Sequence, residues 1–516
     1  MKKVLKKFNR VFFSRYALSA LMILVEVLLI IHLIFSGWET VYLIAPISVI
    51  FTALSLLHLI NRVTNPEYKV VWAIIILLIV PVGSVLYFLF YSRRMSRRET
   101  RLLRGIFNML SPSDEAWDRA MTALSSEDPS AAGKARAIKS DYALAEAFRD
   151  TSSTFFASGE EYFDALIEDI SAAQEYIFLE YFIIDEGALW TRIHGVLREK
   201  AAMGVDVRVL YDDIGCMSTL PPTYELSLSR EGIRAKRFAR VSPRVSAMHH
   251  NRDHRKICII DGKVGYTGGV NIADEYVNEI ERFGHWKDGG IRISGLAVVG
   301  LLRLFISSWD FTTGNVSDYA SLFNSTRPSP SADNGYYIPF GSGPSPIFPA
   351  SVGKNVFLNI VNQAVSYVFV TTPYLIIDYD LTVALSNAAR RGVDVRIITP
   401  ATADKKLVKI MTKSSYPTLM EAGVEIYEYT PGFIHEKTLV SDDKYAVVGT
   451  INLDYRSLVH HFEDAVWMYN TPTVSAAKDA FCDTLSVSHR LTEKDARLNF
   501  AERMLKSINQ LIAPLL

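Results

Sequence analysis

Apolar residues are distributed unevenly along the chain. Three long apolar runs come first, about Ala17 to Phe35, Val41 to Ile60 and Val70 to Tyr91. Each approaches the roughly 20 residues that span a bilayer core. The third holds Pro81 and Gly83, which membrane helices tolerate. Three such runs in tandem predict N-terminal transmembrane helices, not a cleaved signal peptide, and define a membrane region at residues 1–105. From about residue 111 the pattern changes. "AAQEYIFLEYFII" (172–184) and "SYVFVTTPYLII" (366–377) read as buried strands. "LREKAAMGVDVRVLYDD" (197–213) and "LSNAARRGVDVRIITP" (385–400) read as helix, glycine turn, strand. The alternation predicts an α/β fold with a largely parallel or mixed sheet covered by helices.

The pattern is also duplicated. Gly204-Val205-Asp206-Val207-Arg208 recurs letter for letter at Gly392-Val393-Asp394-Val395-Arg396. This places a first unit at 106–312 and a second at 347–516. The stretch between them, 313–346, is rich in Ser, Gly, Pro and Asn and reads as a linker or surface excursion. Ser111 to Ser130 reads as a linker or mobile helix, and Thr492 to Ile512 as a helix docked on the core.

Charge narrows the picture. The 516 residues carry 55 Lys plus Arg and 55 Asp plus Glu, so no global field favours nucleic acid. Cys216, Cys258 and Cys482 are too far apart for a disulfide framework or a metal cluster, and Cys258 reads as an inert core residue. Lys2, Lys3, Lys6, Lys7, Arg10 and Arg15 precede the first apolar run; Arg93, Arg94, Arg97, Arg98, Arg101 and Arg104 follow the third. Basic flanks prefer the cytoplasm, and two cytoplasmic flanks require an even number of crossings. The first run carries Glu26 and His32. It is therefore expected along the interface while the other two form a hairpin.

The candidate chemistry lies in two echoing segments, "HNRDHRKICIIDGKVGYTGGVN" (250–271) and "IHEKTLVSDDKYAVVGTIN" (434–452). His435, Lys437 and Asp442 reproduce the spacing of His254, Lys256 and Asp261. Gly268 and Asn271 follow His254 by 14 and 17 residues, as Gly449 and Asn452 follow His435. Along a strand, residues two apart face the same way, so each copy offers an imidazole and an ammonium together. If the halves pack about a pseudo-two-fold axis, two His, two Lys and two Asn converge in one pocket. Such a pocket suits a phosphodiester. The lysines neutralise phosphate oxygens. The amides of Asn271 and Asn452 donate to the same oxygens. One histidine attacks phosphorus, and the other protonates the leaving alkoxide and then deprotonates the incoming hydroxyl. No metal or other cofactor is required, and ammonium groups beside the imidazoles disfavour a cation. Asp288 and Glu463 are the candidates to hold the imidazoles' other nitrogens. Asp261 and Asp442, the remaining catalytic candidates, stand at strand ends and are better placed to fix the strand turn or pair with basic groups than to touch phosphorus. Asp212-Asp213 reads as a solvated strand end; His249-His250 and His460-His461 read as local polar packing.

These residues resemble the phospholipase D superfamily, whose mark is a duplicated His-x-Lys-x4-Asp motif, and within it the bacterial cardiolipin synthases. "LEYFIIDEGALW", "TTPYLIIDYDL", "VPVGSVLYFLFY" and the terminal "IAPLL" carry the likeness along nearly the whole chain. The resemblance implies two pseudo-symmetric α/β/α domains around one active site. It also implies a multi-pass protein of the bacterial plasma membrane with cytoplasmic catalytic domains. The implied reaction joins two phosphatidylglycerol molecules into cardiolipin and glycerol, with His254 as nucleophile and His435 as acid and base. A hydrolase, or a transferase with another alcohol acceptor, is the alternative. The sequence departs from the pattern at Asp253 and His461, where asparagine is commoner, and in its third apolar segment.

Overall fold

The computed structural model describes residues 38–62, 66–90, 95–240, 251–348, 351–497, 500 and 503–504. The described residues fall into two compact units, the first holding those up to residue 90 and the second those from residue 95 on.

In the first unit, α1 (Trp38–Ile60), α2 (Pro66–Leu78) and α3 (Val82–Phe90) pack around Leu59, Tyr68, Trp72, Ile76 and Tyr87. His58 Nδ1 meets the Tyr87 hydroxyl at 2.8 Å. Among the described residues no helix is long and apolar enough to cross a membrane. The expected third span is broken before Val82 into helices of 13 and 9 residues, because Pro81 lacks the N–H a continuous helix needs. Both fall short of the roughly 20 residues a bilayer requires. The second run lies in α1, whose side chains are described only from Ala45. The first run, 17–35, lies outside the described residues, as do Arg93 and Arg94.

The second unit holds the duplication. Its strands are β1 (Thr151–Phe156), β2 (Tyr176–Tyr181), β3 (Asp206–Asp212), β4 (Arg234–Phe238), β5 (Lys256–Ile260), β6 (Val264–Gly268), β7 (His285–Lys287), β8 (Gly290–Gly295), β9 (Tyr336–Ser342), β10 (Tyr367–Thr371), β11 (Leu375–Ile376), β12 (Asp394–Pro400), β13 (Glu425–Tyr429), β14 (Gly432–Ile434), β15 (Thr438–Ser441), β16 (Tyr445–Gly449), β17 (Leu453–Asp454), β18 (Glu463–Tyr469) and β19 (Ser488–Arg490). One sheet runs β1-β8-β6-β5-β2-β3-β4 and the other β9-β18-β16-β15-β10-β12-β13-β19. The orders correspond strand for strand until β19 extends the second sheet. β2, β3 and β4 are parallel, as are β10, β12 and β13; every other neighbour within the two sheets is antiparallel.

The repeated GVDVR explains part of this equivalence. Gly204 and Gly392 both take φ +90°, a left-handed value that suits glycine, and each turns a helix into the first residues of a strand, β3 or β12. The segment 313–346 is not a linker throughout. Its last part is β9, buried along all seven residues and paired with β18, because Tyr336, Tyr337, Ile338 and Phe340 give it an apolar surface. Ser111 to Ser130 falls largely within helix Asp114–Glu127 and the start of helix Pro129–Asp141, which share Asp128 as a cap. Most of 492–512 lies outside the described residues. Helix Arg97–Leu110 starts at a Ser96–Glu99 capping box. It buries Leu103, Ile106, Phe107 and Leu110 while Arg97, Arg98, Arg101 and Arg104 stay exposed.

Candidate active site

The two halves exchange short strand contacts, and this exchange builds the site. His254 N–H donates to the Phe462 carbonyl at 2.8 Å, and Phe462 N–H to the Arg252 carbonyl at 2.8 Å. Equivalently, β14 pairs with β7, and His435 N–H donates to the Lys287 carbonyl at 2.7 Å. The residue after each of these carbonyls is a carboxylate. Glu463 of the second half therefore reaches His254 Nδ1 of the first at 2.9 Å. Asp288 of the first half reaches His435 Nδ1 of the second at 2.7 Å. A carboxylate on Nδ1 fixes the tautomer with its proton there and leaves the Nε2 lone pair free to react.

Burial sets the charges. It pushes the His254 imidazole down to about 3, against Glu463 and with help from Lys256. It pushes His435 down to about 4, with Lys437 adding and Asp288 opposing. Both imidazoles are therefore neutral in the free protein at neutral pH. Burial alone would raise both carboxylates. Instead the His254 partner holds Glu463 well below its usual range, and Lys437 and His435 hold Asp288 below its own. The lysines are buried too. Burial lowers Lys256 to about 8 against the pull of Glu463 and Asp288, and Lys437 to about 7 against Asp288, with Lys256 adding to the fall. The crossed hydrogen bonds His254–Glu463 and His435–Asp288 bring the two motif copies together. Lys256 Nζ donates to the His254 carbonyl at 2.6 Å; Lys437 Nζ bonds the His435 carbonyl and lies 2.8 Å from His435 Nδ1.

Asp261 and Asp442 are not brought to this pocket. Asp261 accepts the N–H groups of Gln174, Glu175 and Tyr176 at 2.9, 2.7 and 2.9 Å, fixing the start of β2. Asp442 does the same for Val365, Ser366 and Tyr367 at 2.9, 2.8 and 3.0 Å, at the start of β10. Each sits at the far end of the strand that follows its His-Lys pair. Asn271 accepts from Ile183 N–H at 3.0 Å and donates to the Tyr276 hydroxyl at 2.7 Å, so part of its amide is engaged within its own half. Asn452 is buried and its Oδ1 has no hydrogen-bond partner.

Other site residues escaped the sequence reading. Asp212 is fully buried, not solvated. It pairs with Arg252 at 2.7 Å and accepts Asp253 N–H at 3.0 Å, holding the approach to His254. Its position at the carboxyl end of a parallel strand was the available signal. Asp213 pairs with Arg237 at 3.0 Å. Thr450 donates to Glu463 Oε2 at 2.5 Å. Its counterpart Gly269 leaves no room for a side chain, since a Cβ there would stand 2.1 Å from Asp288 Oδ1. His461 Nδ1 faces Glu463 Oε1 at 3.5 Å. Cys258 is fully buried, as expected of a core residue, whereas His249 and His250 lie outside the described residues.

Comparison with known proteins places this geometry. Residues 166–281 and 357–484 match a family described as "Cardiolipin synthase, PLD-like domain", and residues 50–90 match "Phospholipase_D-nuclease N-terminal". An uncharacterized protein of Streptococcus mutans is 38% identical over 464 residues, 90% of this chain and 99% of that one. Cardiolipin synthase 2 of Staphylococcus epidermidis is 34% identical over 371 residues, 71% of this chain and 75% of that one. The phosphatidylserine synthase structure from Haemophilus influenzae shares the fold. Its TM-score is 0.56 at 15% identity, over 74% of this chain and 100% of that one.

Proposed function

As a member of the cardiolipin synthase family of phospholipase D-like proteins, to which the chain belongs, the protein is a phosphatidyltransferase, and we propose that it joins two phosphatidylglycerol molecules into cardiolipin and glycerol. The observation that carries the mechanism is the crossed pair of dyads, His254–Glu463 and His435–Asp288.

His254 Nε2 attacks phosphorus, forming an N–P bond. The bond to the departing glycerol oxygen breaks, and His435 supplies that oxygen with a proton. The arriving phosphodiester anion favours a charged His435, which is neutral before substrate binds. Glu463 stabilises the cationic phosphohistidine. His435 then takes the proton of the second lipid's hydroxyl, whose oxygen displaces His254. Lys256 and Lys437 neutralise the non-bridging oxygens, and the Asn271 and Asn452 amides donate to them. Asp261 and Asp442 act by holding strand ends. The N-terminal apolar region and the exposed arginines of Arg97–Leu110 would keep the protein at a membrane surface rich in anionic lipid, on the cytoplasmic side.

The test is to incubate the purified protein with phosphatidylglycerol vesicles and identify products by mass spectrometry. Cardiolipin with equimolar glycerol is expected. Phosphatidic acid as the main product would replace the synthase by a hydrolase.

A further inference from the structure

The first dyad has a side that phosphoryl transfer does not use. Glu463 Oε2 is taken by His254 Nδ1 and Thr450 Oγ1. Its other oxygen, Oε1, is buried with no hydrogen-bond partner, and so is the His461 Nδ1 that faces it at 3.5 Å. The His461 ring stands 5.5 Å from that of His254. One ligand atom each from His254, His461 and Glu463 lies within 4.8 Å of the others. Two imidazoles and a carboxylate are the donor set of an open zinc-type site, with water in the fourth position. Buried polar atoms left unpaired cost free energy, and a cation among these three groups would satisfy both orphans.

Among the described residues the second dyad offers no such set. Trp286 occupies the place equivalent to His461, with its ring 5.5 Å from His435. Asp288 Oδ1 is taken by the Gly289 N–H at 2.9 Å. Lys256 opposes a cation near His254, but its Nζ is turned to the His254 carbonyl at 2.6 Å, and the ionised Glu463 offsets it.

We propose that His254, His461 and Glu463 bind a divalent transition ion of the zinc class, and that the bound ion silences His254. The ion on Nδ1 takes the place of the proton shared with Glu463. The neutral imidazole then carries its proton on Nε2, and the lone pair that would attack phosphorus is lost. Binding stands apart from the transferase reading; the silencing rests on it.

The test uses the full chain, stripped of metal and titrated with Co²⁺ alone. Wild type should take up about one Co²⁺ per chain with the visible bands of a tetrahedral site, and Zn²⁺ should bleach them. His461→Asn should weaken uptake by about tenfold or more. His461→Cys should restore it and add a sulfur-to-cobalt charge-transfer band, which also shows that the position tolerates change. Wild-type protein without these bands, or His461→Asn with unchanged bands, overturns the site. In lipid turnover, Zn²⁺ should inhibit wild type at about tenfold lower concentration than His461→Asn. Equal inhibition of the two, with binding intact, overturns the silencing. Because cobalt uptake needs no substrate, it is read whether or not the protein makes cardiolipin.

Discussion

The His254 and His435 dyads occupy equivalent places in the duplication and have different neighbours. Around His435 stand Tyr276, Trp286 and Phe433, with ring centroids at 5.4, 5.5 and 6.1 Å. Around His254 stand Phe182 at 5.0 Å and His461 at 5.5 Å. The second oxygen of Asp288 is closed by a backbone N–H, whereas that of Glu463 faces an imidazole. Thr450 braces Glu463, while Gly269 makes room for Asp288. The backbone exchange is alike at the two sites, and the side chains around the two imidazoles differ. An aromatic box suits a group that shuttles protons in a dry pocket; a braced carboxylate suits a group that must become a covalent cation.

The largest test of this division removes each imidazole. His254→Ala and His435→Ala should each lower turnover by about 10³-fold or more. They should differ in what accumulates. His435→Ala should trap a phosphatidyl group on His254, detectable by intact-protein mass spectrometry, and His254→Ala should show none. A trapped adduct on His435 would reverse the roles. The next test removes orientation alone. Glu463→Gln should slow adduct formation, and Asp288→Asn its breakdown, each by about 10²-fold in single-turnover kinetics.

A smaller effect separates the lysines. Lys437, pushed down to about 7 by burial, loses its charge as pH rises through that value. The free enzyme's kcat/KM should therefore fall on the alkaline side, and Lys437→Arg, which stays charged, should carry the remaining activity to higher pH. An unmoved alkaline limb would show that another group controls it. Smallest in turnover is the strand-end pair. Asp261→Ala and Asp442→Ala each forfeit three backbone hydrogen bonds to a carboxylate, worth about 2 kcal/mol. Their Tm should drop by several degrees, while kcat of the folded protein changes by no more than about threefold. A loss of kcat at unchanged Tm would place them back in the chemistry.

Much of this was legible in the chain. The echo of His254 and Lys256 in His435 and Lys437 located the pocket, and the paired GVDVR segments announced two equivalent sheets. Asp288 and Glu463 were recognised as the carboxylates that hold imidazoles. Other features were hidden because composition is a poor guide to burial. The serine- and proline-rich stretch before Ser342 conceals the fully buried β9, and the acidic pair at 212–213 looked solvated although Asp212 is enclosed with Arg252. The apolar run at 70–91 has the length of a bilayer span, yet Pro81 falls within it and the helices stop short on either side.

The sequence by itself determined which imidazoles and ammonium groups travel together, because strand geometry puts residues two apart on one side. Only the tertiary structure decided which carboxylate serves which histidine. Glu463 belongs to His254 across 209 positions and Asp288 to His435 across 147, each pair crossing between the halves. Hydrophobic periodicity is a local signal that reports a residue's own face. The pairing depends on hydrogen bonds between two segments, β7 with β14 and Arg252 to His254 with Phe462, that lie far apart in the chain. The same docking set His461 beside His254 and Trp286 beside His435, and so made two equivalent sites chemically unequal.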